Sequence, residues 1–480
     1  MPRVQKWLQQ HHFLLMILAV AFATRLYGIL NTPTDWHAFR QADTASVTRE
    51  YVKHGIDLLR PTYQDNSNIA SGKDNPKGYR MVEFPIINAT IAFVILTAAK
   101  AGIQLDLVIL SRLFSVVSSL ATLVGIYWLG KQWFNVTVGR LAATTFALLP
   151  YAVYYSRAIL PEPFFLTSSV LAIAFFQAYV DKPSLAKFLA SAAFLAVALL
   201  LKPFALFLAP LFIIITFLKF GWKAILRFEL LAYIALALIP MLLWRKWITQ
   251  FPEGIPVSAW LFNGDKIRFR PAWFRWLGWE RLTKLILGFV GMLFLPAVLL
   301  VRPWAKLLPL VGWWLSCLIY VSVIATGNVR HDYYQVFLIP VICLSVAVGM
   351  FQLWKWLSTK TTMLVSAAIL GVLFTIMIRL AWEQVGGYYG TRADWEEAGR
   401  AVDKLLPPDA KIIAPAFGDT AFLFQTNRTG WPLGFDIDDK IAKGAQYYVT
   451  TAYDDEAREL EQKYRVLAKT PAYLIIELTR

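Results

Sequence analysis

Apolar positions along this chain gather into long runs separated by short polar stretches, most of them basic. A helix that crosses the hydrocarbon core of a bilayer needs about 20 predominantly apolar residues. Runs of that kind lie at 13–30, 107–129, 138–155, 164–180, 185–201, 204–218, 230–247, 285–301, 308–325, 336–354 and 363–380. The pattern predicts about eleven transmembrane helices, hence an all-α polytopic membrane protein. The region 31–106 between the first two runs is polar in its first half and apolar in its second. Its apolar part, 84–101, is expected to lie along the outer face of the membrane or dip into it. If it crossed, every later loop would change side. The segment 250–283, rich in Trp, Phe and Arg, suits the membrane interface.

From position 383 the pattern changes to higher charge with alternating helix and strand signals. Asp394 and Glu397 read as the N-cap and capping box of a helix ending near Leu406, before Pro407-Pro408. Strand-like runs follow at 411–414, 446–450, 465–468 and 473–477. A small C-terminal α/β domain fits this pattern. The expected division is a membrane domain at 1–382, carrying the external loop 31–106, and an extracytoplasmic domain at 383–480.

Composition agrees with this reading: 58% of the 480 residues are hydrophobic and 15% aromatic, more than a soluble domain of this length carries. The formal charge of +16 could suggest nucleic acid, but its distribution points to topology instead. Arg3 and Lys6, Lys131 and Arg140, Lys182 and Lys187, Lys219, Lys223 and Arg227, Arg302 and Lys306, and Lys355 and Lys360 all fall on alternate loops. That is the positive-inside pattern; it puts the N-terminus in the cytoplasm and, after eleven spans, the C-terminus outside. The run 13–30 follows a short basic start and has no A-x-A-like cleavage site, so it reads as a signal anchor. Arg25, near its outer end, is expected to snorkel toward the interface. Cys317 and Cys343 fall inside expected spans and offer neither a disulfide framework nor a zinc site.

On this topology one face collects ionisable groups from five loops: Asp35, Arg40 and Asp43; Glu83; Arg157 and Glu162; Lys202; and Arg330 with His331. Any one of them could simply anchor a helix end. Acids and bases converging from five loops favour a shared polar site, because charge near membrane depth is expensive. Such residues suit chemistry on a lipid-linked phosphate, such as transfer of a sugar. A partly desolvated carboxylate serves as base, with Asp43 the candidate. Arg40, Arg157, Lys202 and Arg330 are candidate partners for phosphate oxygens. Glu83 and Glu162 either position the acceptor or hold a divalent cation, Mg or Mn. His331, Tyr333 and Tyr334 suit a phosphate or the face of a sugar, although the two tyrosines equally suit an interfacial aromatic cluster. The sequence contains no G-x-S-x-G elbow, Walker loop or G-x-G-x-x-G turn, which points away from a cytosolic nucleotide sugar as donor.

Four stretches carry a resemblance: 40-RQADTASVTREY-51, 83-EFP-85, Arg112-Leu113 opening a span, and 156-SRAILPEP-163. Together they resemble the GT-C glycosyltransferases, in particular the bacterial membrane branch of protein O-mannosyltransferases and the aminoarabinose transferase of lipid A. The resemblance implies a helical core in the bacterial inner membrane, with its active site on the periplasmic side. It also implies a sugar donor on a polyprenyl phosphate, a glycan, lipid or protein acceptor, and inversion at the anomeric carbon. On the matching motifs, Asp43 takes the place of the family's first-loop aspartate, Glu83 of the acid ending that loop, and Glu162 of the acid in the second external loop. Lys202 and 331-HDYY-334 stand where relatives place groups that contact phosphate or sugar. Many relatives have two adjacent acids where this chain has Asp43-Thr44, which leaves Asp35 as the nearby second acid should a metal bind at Asp43 or Glu162. Two other functions fit the same outer-face charges. One is a flippase or transporter of lipid-linked glycans, and the other a glycan ligase or polymerase using polyprenyl pyrophosphate donors.

Overall fold

Pro150 shows how local sequence shapes the membrane helices. It sits inside the run expected to span at 138–155, and in the computed structural model the helix Val136–Leu148 stops just before it. Leu149 is pushed into an extended conformation, as the residue before a proline tends to be, and a separate helix Pro150–Tyr155 begins. The structure describes residues 2–478, with side chains from His12 onward; Arg3, Lys6 and Arg480 lie outside the described side chains.

Among the described residues seven helices are long and apolar enough to cross a membrane, or eight if one bent pair counts as a single span. Four shorter apolar helices accompany them: His12–Arg25, Ile86–Lys100, Val136–Leu148 and Leu185–Leu201. Ile86–Lys100 is the run expected not to cross; the other three fall on expected spans. The expected span 285–301 covers the second arm of the bent pair, whose first arm begins in the segment 250–283. Pro271–Ile286 and Val290–Leu300 meet at 107°. Gly288 makes the bend with φ +49, packed so closely on the helix Met363–Val385 that a Cβ would strike the Met377 carbonyl. The first arm carries Arg275, Glu280, Arg281 and Lys284, so only the second reads as apolar.

Arg25 does not snorkel. It is fully buried, and its Nη1 donates to the carbonyls of Ala21 (3.1 Å) and Ala147 (3.2 Å), while Nη2 donates to that of Phe146 (3.1 Å). Two of those carbonyls end the Val136–Leu148 helix, where the Pro150 break leaves acceptors without intrahelical donors.

In the C-terminal region the helix Ala393–Leu405 starts earlier than the capping-box reading places it. Arg392 occupies the cap position with no side-chain cap bond. Asp394 sits in the first turn and pairs with Arg392 at 2.7 Å. Five strands follow: β1 (Lys411–Ile413), β2 (Thr429–Trp431), β3 (Tyr447–Thr450), β4 (Arg465–Lys469) and β5 (Leu474–Glu477). They form one sheet in the order β2-β1-β3-β5-β4, with β1 parallel to β2 and β3 and with β5 antiparallel to β3 and β4. Ile413, Trp431, Tyr448, Leu460, Leu474 and Ile476 form its core. The sequence reading missed β2, which is three residues long with Gly430 at its centre.

The chain packs into two compact units. The first comprises Met1–Tyr27, Ser115–Trp244 and Ser258–Gly387, and contains most of the membrane helices. There Glu162–Asp181 lies along Leu185–Leu201, and Ile339–Leu357 lies against Val136–Leu148. The second comprises Gly28–Phe114, Arg245–Val257 and Tyr388–Arg480. It joins the first loop to the C-terminal sheet at Gly430, whose N–H donates to the Gln64 carbonyl (2.9 Å) and whose carbonyl accepts from Asn66 N–H (2.8 Å). A Cβ on Gly430 would collide with the Ile412 carbonyl, so the backbone approach needs glycine.

Candidate active site

In the second unit the helix Ala38–His54 carries the first-loop candidates. It is polar yet buried almost all round, so each polar side chain needs a partner. Gln41 Nε2 donates to Asp35 Oδ1 (2.5 Å), Arg40 pairs with Glu83, and Asn88 Nδ2 donates to the Thr44 carbonyl (2.7 Å). Ser46 Oγ accepts from Gln64 N–H (2.9 Å), and Arg49 Nη1 donates to the Phe424 carbonyl (2.8 Å) while its guanidinium lies over the Phe424 ring. The apolar side of the helix, Val47 and Tyr51, packs with Tyr63 and Ala92.

Asp43 sits on this helix, 6% exposed. Its Oδ2 lies 2.9 Å from Arg80 Nη2, and its Oδ1 accepts a hydrogen bond from the Thr420 hydroxyl at 2.7 Å. Arg80 also lies over the Tyr63 ring, 5.0 Å from its centroid. Two further carboxylates feel the charge of Asp43. Burial pushes Asp65 up to about 6 against hydrogen bonds from Ser67, with the Asp43 charge adding to the rise. Asp419 is likewise pushed up to about 6, chiefly by burial, with Asp43 again contributing. A fixed, buried carboxylate with lone pairs left over can act as a base, and a nearby guanidinium can meet a phosphate.

Asp35, the nearby second acid, is fully engaged elsewhere. Its Oδ2 pairs with Arg112 Nη2 at 3.2 Å, with both side chains buried, and Arg112 Nη1 also donates to the Gly28 carbonyl (2.7 Å). Asp35 and Arg112 thus tie the start of the loop to the helix Leu107–Trp133. Among the described residues no group of three or more His, Cys, Asp or Glu side chains is arranged to hold a metal ion. Asp43 and Glu162, the two acids expected at any metal, belong to different compact units.

The first unit carries the remaining candidates. Glu162 opens the helix Glu162–Asp181 after Pro161, where a carboxylate suits the helix N-terminus. Lys202 ends Leu185–Leu201 in an extended conformation, and its Nζ lies 2.9 Å from Glu162 Oε1. Lys202 also lies 6.0 Å from the ring centroids of Phe204 and Tyr334. Glu162 Oε2 is buried with no hydrogen-bond partner among the described residues. Arg157 is fully buried, its guanidinium 4.8 Å from the Tyr154 ring centroid. Tyr333 stacks on Tyr334 at 4.6 Å, and His331 stacks on Tyr333 at 5.5 Å; both tyrosines are buried, so they do not form an exposed belt. Arg330 lies over Trp260.

Sequence reasoning missed several of these partners. Asp332 accepts hydrogen bonds from Tyr155 Oη at Oδ1 (2.7 Å) and from Tyr151 Oη at its carbonyl (2.5 Å), with Arg281 Nη1 3.9 Å from its Oδ2. Its position within 331-HDYY-334 was a usable signal. Arg80 and Thr420 carried none, since neither belongs to a motif.

These features define a class: a helical membrane core with a polar, acid-bearing first loop and a small appended α/β sheet, the GT-C architecture. The comparisons bear out that fold. The family model described as dolichyl-phosphate-mannose-protein mannosyltransferase matches residues 92–244. ArnT from Cupriavidus metallidurans bound to undecaprenyl phosphate is similar over 97% of this chain and 98% of its own, with TM-score 0.62 at 14% identity. The Archaeoglobus fulgidus oligosaccharyltransferase, in complex with Zn and sulfate, is similar over 92% of this chain and 68% of its own, with TM-score 0.57 at 12% identity. The AglB form from the same organism, in complex with an inhibitory peptide and a dolichol-phosphate, gives TM-score 0.53 at 11% identity over 95% and 70%. No curated protein sequence matches the chain.

Proposed function

We propose that this chain is an integral-membrane glycosyltransferase that moves a sugar from a polyprenyl phosphate to an acceptor hydroxyl, with inversion. One observation carries the reading. The whole chain shares its fold with a protein that holds undecaprenyl phosphate, and its own residues independently call for chemistry on a lipid phosphate.

Asp43 is the base: its carboxylate takes the proton of the acceptor hydroxyl as that oxygen attacks the anomeric carbon. The bond from that carbon to the phosphate oxygen breaks, its electron pair stays on the phosphate, and polyprenyl phosphate leaves. Lys202 and Arg157 are the groups suited to the growing phosphate charge, with Glu162 holding the Lys202 ammonium in place. Arg40, Glu83, Arg330, His331, Tyr333 and Tyr334 orient donor and acceptor. Residues 1–382 carry the chemistry, and 383–480 form the extracytoplasmic domain. The positive-inside pattern supports a cytoplasmic N-terminus and a periplasmic reaction in the bacterial inner membrane. These steps use the chain's own residues; a divalent cation is read by a chelator in the assay.

The test is turnover by purified protein in detergent on a panel of radiolabelled polyprenyl-phosphate sugars. Release of polyprenyl phosphate from at least one donor supports the reading. If none is consumed while labelled lipid crosses liposomes containing the protein, the chain is a flippase instead.

A further inference from the structure

A side chain of the C-terminal domain, that of Thr420, reaches Asp43. Thr420 opens the short helix Thr420–Gln425, which packs on Ala38–His54 within the second unit. Its hydroxyl lies 2.7 Å from Asp43 Oδ1 and 3.2 Å from the Phe39 carbonyl. A hydroxyl has one proton to give, and the shorter, charge-assisted contact takes it. Burial makes that bond count for more, because the carboxylate is largely withdrawn from solvent.

The backbone around Thr420 is held from several sides. Gln64 Nε2 donates to its carbonyl (3.4 Å), Asp419 Oδ1 accepts from Ala421 N–H (2.8 Å), and Arg49 binds the Phe424 carbonyl at the far end of the same helix. The Gly430 junction with Gln64 and Asn66 fixes the sheet behind it. The hydroxyl is therefore presented from a rigid support, as an orienting group must be.

We infer that Thr420 is a positioning residue for the Asp43 carboxylate, so that the C-terminal domain supplies part of the active site. With Arg80 on Oδ2 and Thr420 on Oδ1, the carboxylate plane is fixed and each oxygen keeps one lone-pair direction. The acceptor hydroxyl then meets a carboxylate already turned toward it, and misplacement by about 1 Å is enough to lose a hundredfold in rate. This inference rests on the glycosyltransferase reading and assigns a residue to it.

The experiment compares wild type with Thr420→Val and Thr420→Ser in full-length protein, using whichever polyprenyl-phosphate sugar wild type consumes. Thr420→Val keeps the side-chain shape and loses the donor; Thr420→Ser keeps the donor. The expected result is that Thr420→Val loses about tenfold or more in kcat with donor KM unchanged, while Thr420→Ser stays within about twofold of wild type. Removing a donor from the charged carboxylate also favours its protonation, so the acid limb of the Thr420→Val pH–rate profile should move to higher pH. The inference is overturned if Thr420→Val turns over like wild type. It is equally overturned if both variants lose activity together with the acid limb unmoved, which marks a packing role. An inactive wild type instead overturns the glycosyltransferase reading itself.

Discussion

Arg80 Nη2 stands 2.9 Å from Asp43 Oδ2, and both side chains are nearly withdrawn from solvent. Removing one member of a buried pair leaves the other charge uncompensated, which is costlier than removing both. Arg80→Met should therefore lower stability by about 3 kcal/mol. Adding Asp43→Asn to Arg80→Met should recover much of that loss. Thermal unfolding of the two single variants and the double variant in detergent gives the coupling directly; strictly additive effects would mean the pair is not coupled.

Lys202 and Glu162 make the corresponding pair in the first unit, at 2.9 Å. Lys202→Ala and Arg157→Ala should each weaken binding of polyprenyl phosphate about tenfold, or about 1.4 kcal/mol. Equilibrium binding of the phosphate lipid to each variant checks this. Unchanged affinity in both would remove these residues from the phosphate site.

Asp65 and Asp419 give stability a definite pH dependence. Both are pushed up to about 6, so between roughly pH 4 and pH 6 the native state binds more protons than the unfolded chain. Stability then falls as pH rises through that window and levels off above it, by about 3 kcal/mol for each group. Asp65→Asn should remove its share. The drop in Tm between about pH 4.5 and about pH 7.5 should be smaller in the variant than in wild type. An identical drop in both proteins would show that Asp65 does not carry it.

The C-terminal region also holds the first loop, through Gly430, Phe424 and the stacking of Trp36 on Tyr388 at 4.8 Å. Truncation after Val385 should make residues 31–83 sensitive to protease while the membrane helices stay protected. A truncated protein whose loop is as resistant as wild type would show that the loop holds itself.

The membrane helices were largely legible in the sequence because hydropathy reports burial in lipid directly. Breaks within apolar runs were less so. Pro150 announced one, but the 107° bend at Gly288, near the start of the run 285–301, packs on Met377 of a different run. Asp43, Glu83 and Glu162 stood out as acids in loops beside apolar runs. Their partners did not, because Arg80 and Thr420 acquire meaning only when the loop folds on the helix Thr420–Gln425. Arg25 was misread for the same reason: its carbonyl partners exist only because a distant helix ends there.

The most direct test of the central claim is consumption of a radiolabelled polyprenyl-phosphate sugar by wild type and Asp43→Asn, each with and without chelator. Wild type should release polyprenyl phosphate, while Asp43→Asn should lose on the order of a thousandfold in rate with donor binding intact; activity lost to chelator in wild type would place a cation in the reaction. Turnover by Asp43→Asn at the wild-type rate would contradict the assignment of Asp43 as base.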